Sequence, residues 1–201
     1  MILLRYGVTP LLQMNNFMGP EKDKHAQFSF EATSFDDVYL IQHKIFSDHR
    51  GSLVKVFEEQ IKKYDIDSIF NECYYSTSTK NVLRGLHFQK APFGHAKLIT
   101  VLEGKILDVI VGVSKEKKNV GKVLANFLSK EKYQSLYVPD GYAHGFLVMS
   151  DVAVVMNHST GYYKPELESG VRYDSIDFEW PLKNPILSEK DKNQMSLLDI
   201  F

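Results

Sequence analysis

The 201-residue sequence predicts an all-β domain, a sandwich or a barrel. Two features carry that prediction. Short runs rich in β-branched and aromatic residues recur from Val38 to Asn157. Clusters of Gly, Pro, Asp and Ser punctuate them at short spacing.

The elements follow in order. Residues 38–42 read as a strand, Ser47-Asp48-His49-Arg50-Gly51 as a turn, and residues 52–57 as an alternating second strand. Residues 58–64 form a short polar helical stretch. Strands are expected at 73–79 and 82–88, with Cys73 as a core thiol. The apolar runs 98–102 and 106–111 are joined by Glu103-Gly104-Lys105, a hairpin signal. Further strands fall at 122–128, 134–138, 145–149 and 152–157. Near the end, Ser188-Glu189-Lys190-Asp191 is a serine-first capping pattern that opens a short helix.

Residues 1–30 read as an N-terminal extension or packing arm, leaving 31–201 as the domain. Met1-Ile2-Leu3-Leu4 is apolar, but Arg5 follows the run instead of preceding it. The order and length are wrong for a secretory signal.

Lys and Arg total 24 against 25 Asp and Glu, a net charge of -1. That balance argues against a nucleic-acid binder. No apolar run approaches the ~18 residues of a membrane span. A single cysteine excludes an intramolecular disulfide and a multi-cysteine zinc site, and fits a cytoplasmic protein. Neither His-x-His nor His-Glu-x-x-His occurs, so no resident metal is expected.

Chemistry concentrates in two segments. In Arg84-Gly85-Leu86-His87-Phe88-Gln89, strict alternation puts Arg84, Leu86 and Phe88 on one face and Gly85, His87 and Gln89 on the other. An arginine in a core strand calls for a buried anion beside Arg84. The second segment is Pro139-Asp140-Gly141-Tyr142-Ala143-His144-Gly145-Phe146.

These two segments, with Lys97-Leu98-Ile99, Glu103-Gly104, Asp108-Val109 and Trp180-Pro181 through Ile186-Leu187-Ser188-Glu189-Lys190-Asp191, resemble the dTDP-4-dehydrorhamnose 3,5-epimerase family. The resemblance spans about Val38 to Asp191. It implies a cupin-type jelly-roll barrel, a homodimer without a cofactor, and a nucleotide-linked 4-keto-6-deoxyhexose as substrate. It implies inversion at C3, or at C3 and C5. The rival reading is a non-catalytic cupin that binds a nucleotide sugar.

By the same resemblance His87 is the base, Asp191 its orienting carboxylate, and Lys97 the cation near the C4 oxygen. Arg84 and His144 line the sugar and pyrophosphate, with Gln89 and Tyr163 as further substrate contacts. Arg50 serves the neighbouring subunit's nucleotide site. The chain departs from the family pattern at three places. Asn157 stands where the family has its second catalytic group, a tyrosine. Lys55 replaces a glutamate that contacts thymine, with Leu53 at an aromatic position beside it. Glu72-Cys73-Tyr74 replaces Gln-x-Asn. A lysine donor suits cytosine N3, an acceptor, so CDP is the first expectation for the nucleotide. An asparagine amide has no usable acidity, so inversion is expected at C3 alone.

Overall fold

Thirteen strands form among the described residues, which are 27–58, 61, 66 and 69–201 of the computed structural model. They are β1 (Phe28–Ala32), β2 (Tyr39–His43), β3 (Ile45–Asp48), β4 (Gly51–Val54), β5 (Glu72–Thr79), β6 (Leu83–Gln89), β7 (Lys97–Glu103), β8 (Lys105–Gly112), β9 (Val123–Ser129), β10 (Gln134–Val138), β11 (Tyr142–Val148), β12 (Val152–Ser159) and β13 (Glu168–Gly170). One helix, α1 (Glu189–Lys192), follows Ser188, whose hydroxyl accepts from the Asp191 N–H at 3.1 Å. The readings at Met1 to Arg5 and over most of 58–64 fall outside the described residues. Phe28, Ser29 and Phe30 belong to β1, so the sheet begins inside the expected extension.

Two antiparallel sheets face each other, with strand orders β1-β2-β10-β7-β12-β5 and β13-β6-β11-β8-β9. The β3–β4 hairpin stands apart from both. This is the expected all-β jelly roll. Period-two alternation decides what fills it. Ile99 and Val101 of β7, Ile106 and Ile110 of β8, Leu136 and Val138 of β10, and Val155 of β12 meet between the sheets. The other face of β8, with Leu107, Val109 and Val111, lies under Ile176, Leu197 and partly buried Trp180. Burial on both faces explains why 106–111 carries so few polar residues.

Glu103-Gly104-Lys105 is not a hairpin. It carries the chain from β7 in one sheet to β8 in the other. Gly104 has φ +76°, and a Cβ there would lie 2.1 Å from the Val152 carbonyl oxygen. The same turn chemistry suits a hairpin and a corner, so local sequence did not separate them. Cys73 is exposed, not a core thiol. It alternates outward on β5, the edge strand of its sheet, where Tyr75 is also exposed.

Behind the six-stranded sheet a buried polar file crosses three strands. His43 Nε2 lies 2.7 Å from Ser135 Oγ, which lies 2.5 Å from Thr100 Oγ1. Burial pushes the His43 pKa down to about 4, only partly offset by the nearby Lys55 backbone. The unfolded chain therefore binds this proton near pH 6.5 and the folded chain does not. Stability is expected to fall as pH drops from 6.5 to 4, with His43 contributing about 3 kcal/mol of that loss. Urea unfolding of wild type and His43→Gln across that range checks it. The gap between the two proteins should narrow on acidification, and a constant gap contradicts the argument.

Candidate active site

The register of the six-stranded sheet sets one wall of the site. Ser159 pairs with Glu72 on one side and Lys97 on the other, and Asn157 pairs with Tyr74 and Ile99. Directly opposite residues share a face. Val155, one step further along β12, points into the barrel core, and so therefore do Asn157 and Ser159. The result is two polar rows at the end of the barrel where the apolar filling stops: Glu72, Ser159 and Lys97, then Tyr74 and Asn157.

The facing wall is β6. Its register with β11 pairs His87 with His144 and Arg84 with Phe146, three residues against two. This irregularity overturns strict alternation. Arg84 and His87 both face inward, while Leu83 and Leu86 join the outer cluster. Gly85 and Gly145 allow the strands to meet there. A Cβ on Gly85 (φ +121°) would lie 2.5 Å from Gly145 Cα, and one on Gly145 would lie 2.6 Å from the Arg84 carbonyl oxygen.

Between the walls lies a cavity of about 340 Å³. His87, Phe88, Gln89 and Glu168 line it from the five-stranded sheet. Glu72, Tyr74, Lys97 and Ser159 line it from the six-stranded one, with His95 and Tyr163 on loops.

His87 Nε2 lies 2.6 Å from Asp191 Oδ1. The carboxylate is 4% exposed. Its burial alone would raise the Asp191 pKa, but the His87 contact, the Ser188 hydroxyl and the Gly85 backbone outweigh that and hold it below the usual value. An ionised Asp191 fixes the imidazole with its proton on Nε2, leaving the Nδ1 lone pair to accept another. Lys97 sits across the cavity, and burial lowers its pKa to about 8 against the pull of Glu168 and Asp108. At neutral pH it remains mostly an ammonium, a fixed charge in a partly dry cavity.

The other expected residues divide. Glu72, Tyr74, Gln89 and Tyr163 are on the cavity wall with His87 and Lys97. The Gln89 side chain is occupied by scaffold contacts. It donates to the Phe93 carbonyl at 3.0 Å and the Tyr162 carbonyl at 3.2 Å, and accepts from the Lys164 N–H at 2.7 Å. It therefore shapes the loops around the cavity. Asn157 is buried and inward-facing, but Tyr74 and Ser159 form the wall beside it. His144 is not on the wall. It is buried beside His87 on the neighbouring strand, with Nε2 2.7 Å from Asp108 Oδ2.

Arg84 is exposed, and it has no buried anion among the described residues. Its Nε donates to Ser78 Oγ at 2.8 Å, leaving guanidinium surface open to solvent. Arg50 lies at the β3–β4 turn, paired with Asp48 at 2.5 Å and away from this cavity. Lys55 is held by Glu58 at 2.8 Å. That carboxylate engages the donor on which the expectation of cytosine rested.

Sequence reasoning missed His95, Ser159 and Glu168. Ser159 was legible as the next inward residue after Asn157. Glu168 comes in through β13, opposite Gln89, and binds Lys190 and the Tyr163 hydroxyl. Burial opposes its ionisation, but Lys190 and Tyr163 together hold its pKa low. Among the described residues no cluster of three His, Cys, Asp or Glu is arranged for a metal, and no helix is long and apolar enough to cross a membrane.

An imidazole on a carboxylate, facing an ammonium across a cavity, suits removal of a proton next to a carbonyl. Known proteins with that chemistry match most of the chain. The family model described as dTDP-4-dehydrorhamnose 3,5-epimerase matches residues 32–199. The dTDP-4-dehydrorhamnose 3,5-epimerase of Shigella flexneri is 38% identical over 175 residues, covering 83% of this chain and 94% of its own. The crystal structure of dTDP-6-deoxy-D-glucose-3,5-epimerase from Legionella pneumophila in complex with dTDP-4-keto-L-rhamnose is similar at a TM-score of 0.81 and 32% identity. It covers 85% of this chain and 93% of that one. A 3'-monoepimerase from Streptomyces bikiniensis in complex with dTDP-quinovose gives a TM-score of 0.77 at 26% identity, over 83% and 86% of the two chains. The chain belongs to the dTDP-4-dehydrorhamnose 3,5-epimerase family, isomerases that epimerise a nucleotide-linked 4-keto-6-deoxyhexose.

Proposed function

We propose that this protein inverts C3 of a dTDP-linked 4-keto-6-deoxyhexose, with His87 as the base. The observation that carries the reading is the 2.6 Å His87–Asp191 pair on the wall of a cavity that Lys97 faces from the other sheet. The C4 ketone acidifies the neighbouring C–H bond. His87 Nδ1 takes that proton, the C–H electron pair moves into a new C=C bond, and the carbonyl pair moves onto the C4 oxygen. Lys97 stabilises the resulting enolate, and Asp191 the imidazolium. The open guanidinium of Arg84 suits the pyrophosphate.

For the nucleotide, dTDP takes the place of CDP as first choice. Lys55 is engaged by Glu58, and the Legionella and Streptomyces structures hold dTDP sugars. Asn157 supports inversion at C3 rather than at both centres, because its amide cannot give up a proton as a phenol can. NMR of the product formed in heavy water tests this. Deuterium and inversion are expected at C3, with C5 exchange slow or absent. Stoichiometric deuterium and inversion at C5 would overturn the scope. Absence of exchange at either carbon, with the sugar nucleotide bound, would favour the non-catalytic reading.

The same reading includes a homodimer. Phe46 and Leu53 on the β3–β4 hairpin and Tyr75 on the edge strand β5 are exposed, and edge strands with apolar side chains need cover. A second copy seated there brings Arg50 of one protomer to the other's nucleotide. Light scattering at micromolar concentration is expected to give twice the chain mass, and a monomer refutes the proposal.

A further inference from the structure

Inversion needs a proton delivered to the face of the carbanion opposite the base. Water and an enzyme group are the two sources, and the six-stranded wall offers one suited group. His87 reaches the cavity from the five-stranded sheet, so the donor belongs on the six-stranded one. Four side chains line the cavity from there: Glu72, Tyr74, Lys97 and Ser159. Lys97 is the charge that holds the enolate oxygen. Glu72 stands in the row with Ser159 and Lys97, one row along from Asn157. The Ser159 hydroxyl donates to the Gly161 carbonyl at 3.0 Å, and a hydroxyl of ordinary alcohol acidity is a poor donor. Tyr74 remains.

Four further observations favour Tyr74. It is directly opposite Asn157 in the β5–β12 register, on the same inward face. The backbone that carries this phenol therefore runs one strand, about 4.8 Å, from the backbone that carries the amide that cannot donate. Tyr163, the other phenol on the wall, is engaged elsewhere. Its hydroxyl donates to Glu168 Oε2 at 2.6 Å, and Glu168 lies on β13, in the sheet that carries His87. No described residue takes a hydrogen bond from the Tyr74 hydroxyl. Tyr74 is 45% exposed, and desolvation of the part that is covered, with Glu72 and Glu168 adding to it, raises its pKa, so the phenol keeps its proton throughout the neutral range.

We propose that Tyr74 is the proton donor that completes inversion at C3, from the face opposite His87. This rests on the reading of His87 as the base. In the second half-reaction the enolate oxygen pair re-forms the C4 carbonyl, and the C=C pair takes the Tyr74 proton to make the new C–H bond. A phenolate and an imidazolium remain. Solvent returns one proton to Tyr74 and accepts one from His87, which restores the starting state.

Tyr74→Phe, assayed in heavy water with a dTDP-linked 4-keto-6-deoxyhexose, separates the two half-reactions. Deuterium wash-in at C3 with retained configuration is expected to continue, because His87 can return a solvent-exchanged deuteron to the face it came from. Inversion is expected to fall by about a hundredfold or more, the scale of a lost general acid. Thermal unfolding and dTDP binding of the variant establish that it is folded. Inversion at the wild-type rate overturns the proposal and leaves water as the donor. Loss of wash-in along with inversion overturns it too, since Tyr74 would then act before the enolate exists. Failure of the base reading is recognised separately: His87→Asn would still exchange C3.

Discussion

His87→Asn is expected to abolish solvent exchange at C3 and to lower kcat by about 10²–10⁴-fold, the range for a lost general base. Asparagine is smaller than histidine and keeps a donor for Asp191, so the fold is expected to survive. The loss follows from the arrangement around the ring. Asp191 is buried and ionised, Ser188 and the Gly85 backbone stabilise its charge, and its carboxylate therefore receives the Nε2 proton. One nitrogen is left to work, and an amide nitrogen cannot take its place. Integration of the C3 proton signal in heavy water checks the outcome. Exchange at more than a few per cent of the wild-type rate would move the base elsewhere.

The fold was legible because alternation and turn residues are local. β8 could be read from its apolar run, broken only by Asp108, and α1 from a serine three residues before Asp191. The sheet to which each strand belongs was not legible. Glu103-Gly104-Lys105 has the chemistry of a tight turn, and only the pairing of β7 with β10 and β12 and of β8 with β9 and β11 makes it a corner. The site shows the same division. His87, Lys97 and Asp191 were identified from motifs, and they converge on one end of the barrel. The facing of Arg84 was misread because the β6–β11 register shifts between His144 and Phe146, and nothing in Arg84-Gly85-Leu86-His87 announces a shift. The relation of Tyr74 to Asn157 was equally hidden. They are 83 positions apart in sequence, the difference of their numbers, and only the β5–β12 register sets them side by side.

Lys97→Met is expected to cost about 10²–10³-fold in kcat/KM, the scale of one removed stabiliser of a developing oxyanion. Methionine keeps the length and apolar stem of the lysine and removes only its charge. The pH dependence of the wild-type protein tests the same role independently. Burial lowers the Lys97 pKa to about 8, and only the ammonium form stabilises the enolate. The active form is therefore present below pH 8 and is lost as pH rises through it. The rate of C3 exchange in wild type is expected to hold from pH 7 towards 8 and then to fall about tenfold per pH unit. Lys97→Arg keeps its charge well above that range. Its rate is lower at pH 7, because a planar fork replaces a compact ammonium, but its decline near pH 8 should be absent. A wild-type profile flat to pH 10, or the same alkaline decline in Lys97→Arg, would remove the ammonium from the mechanism and leave Lys97 as a packing residue in the row with Glu72 and Ser159.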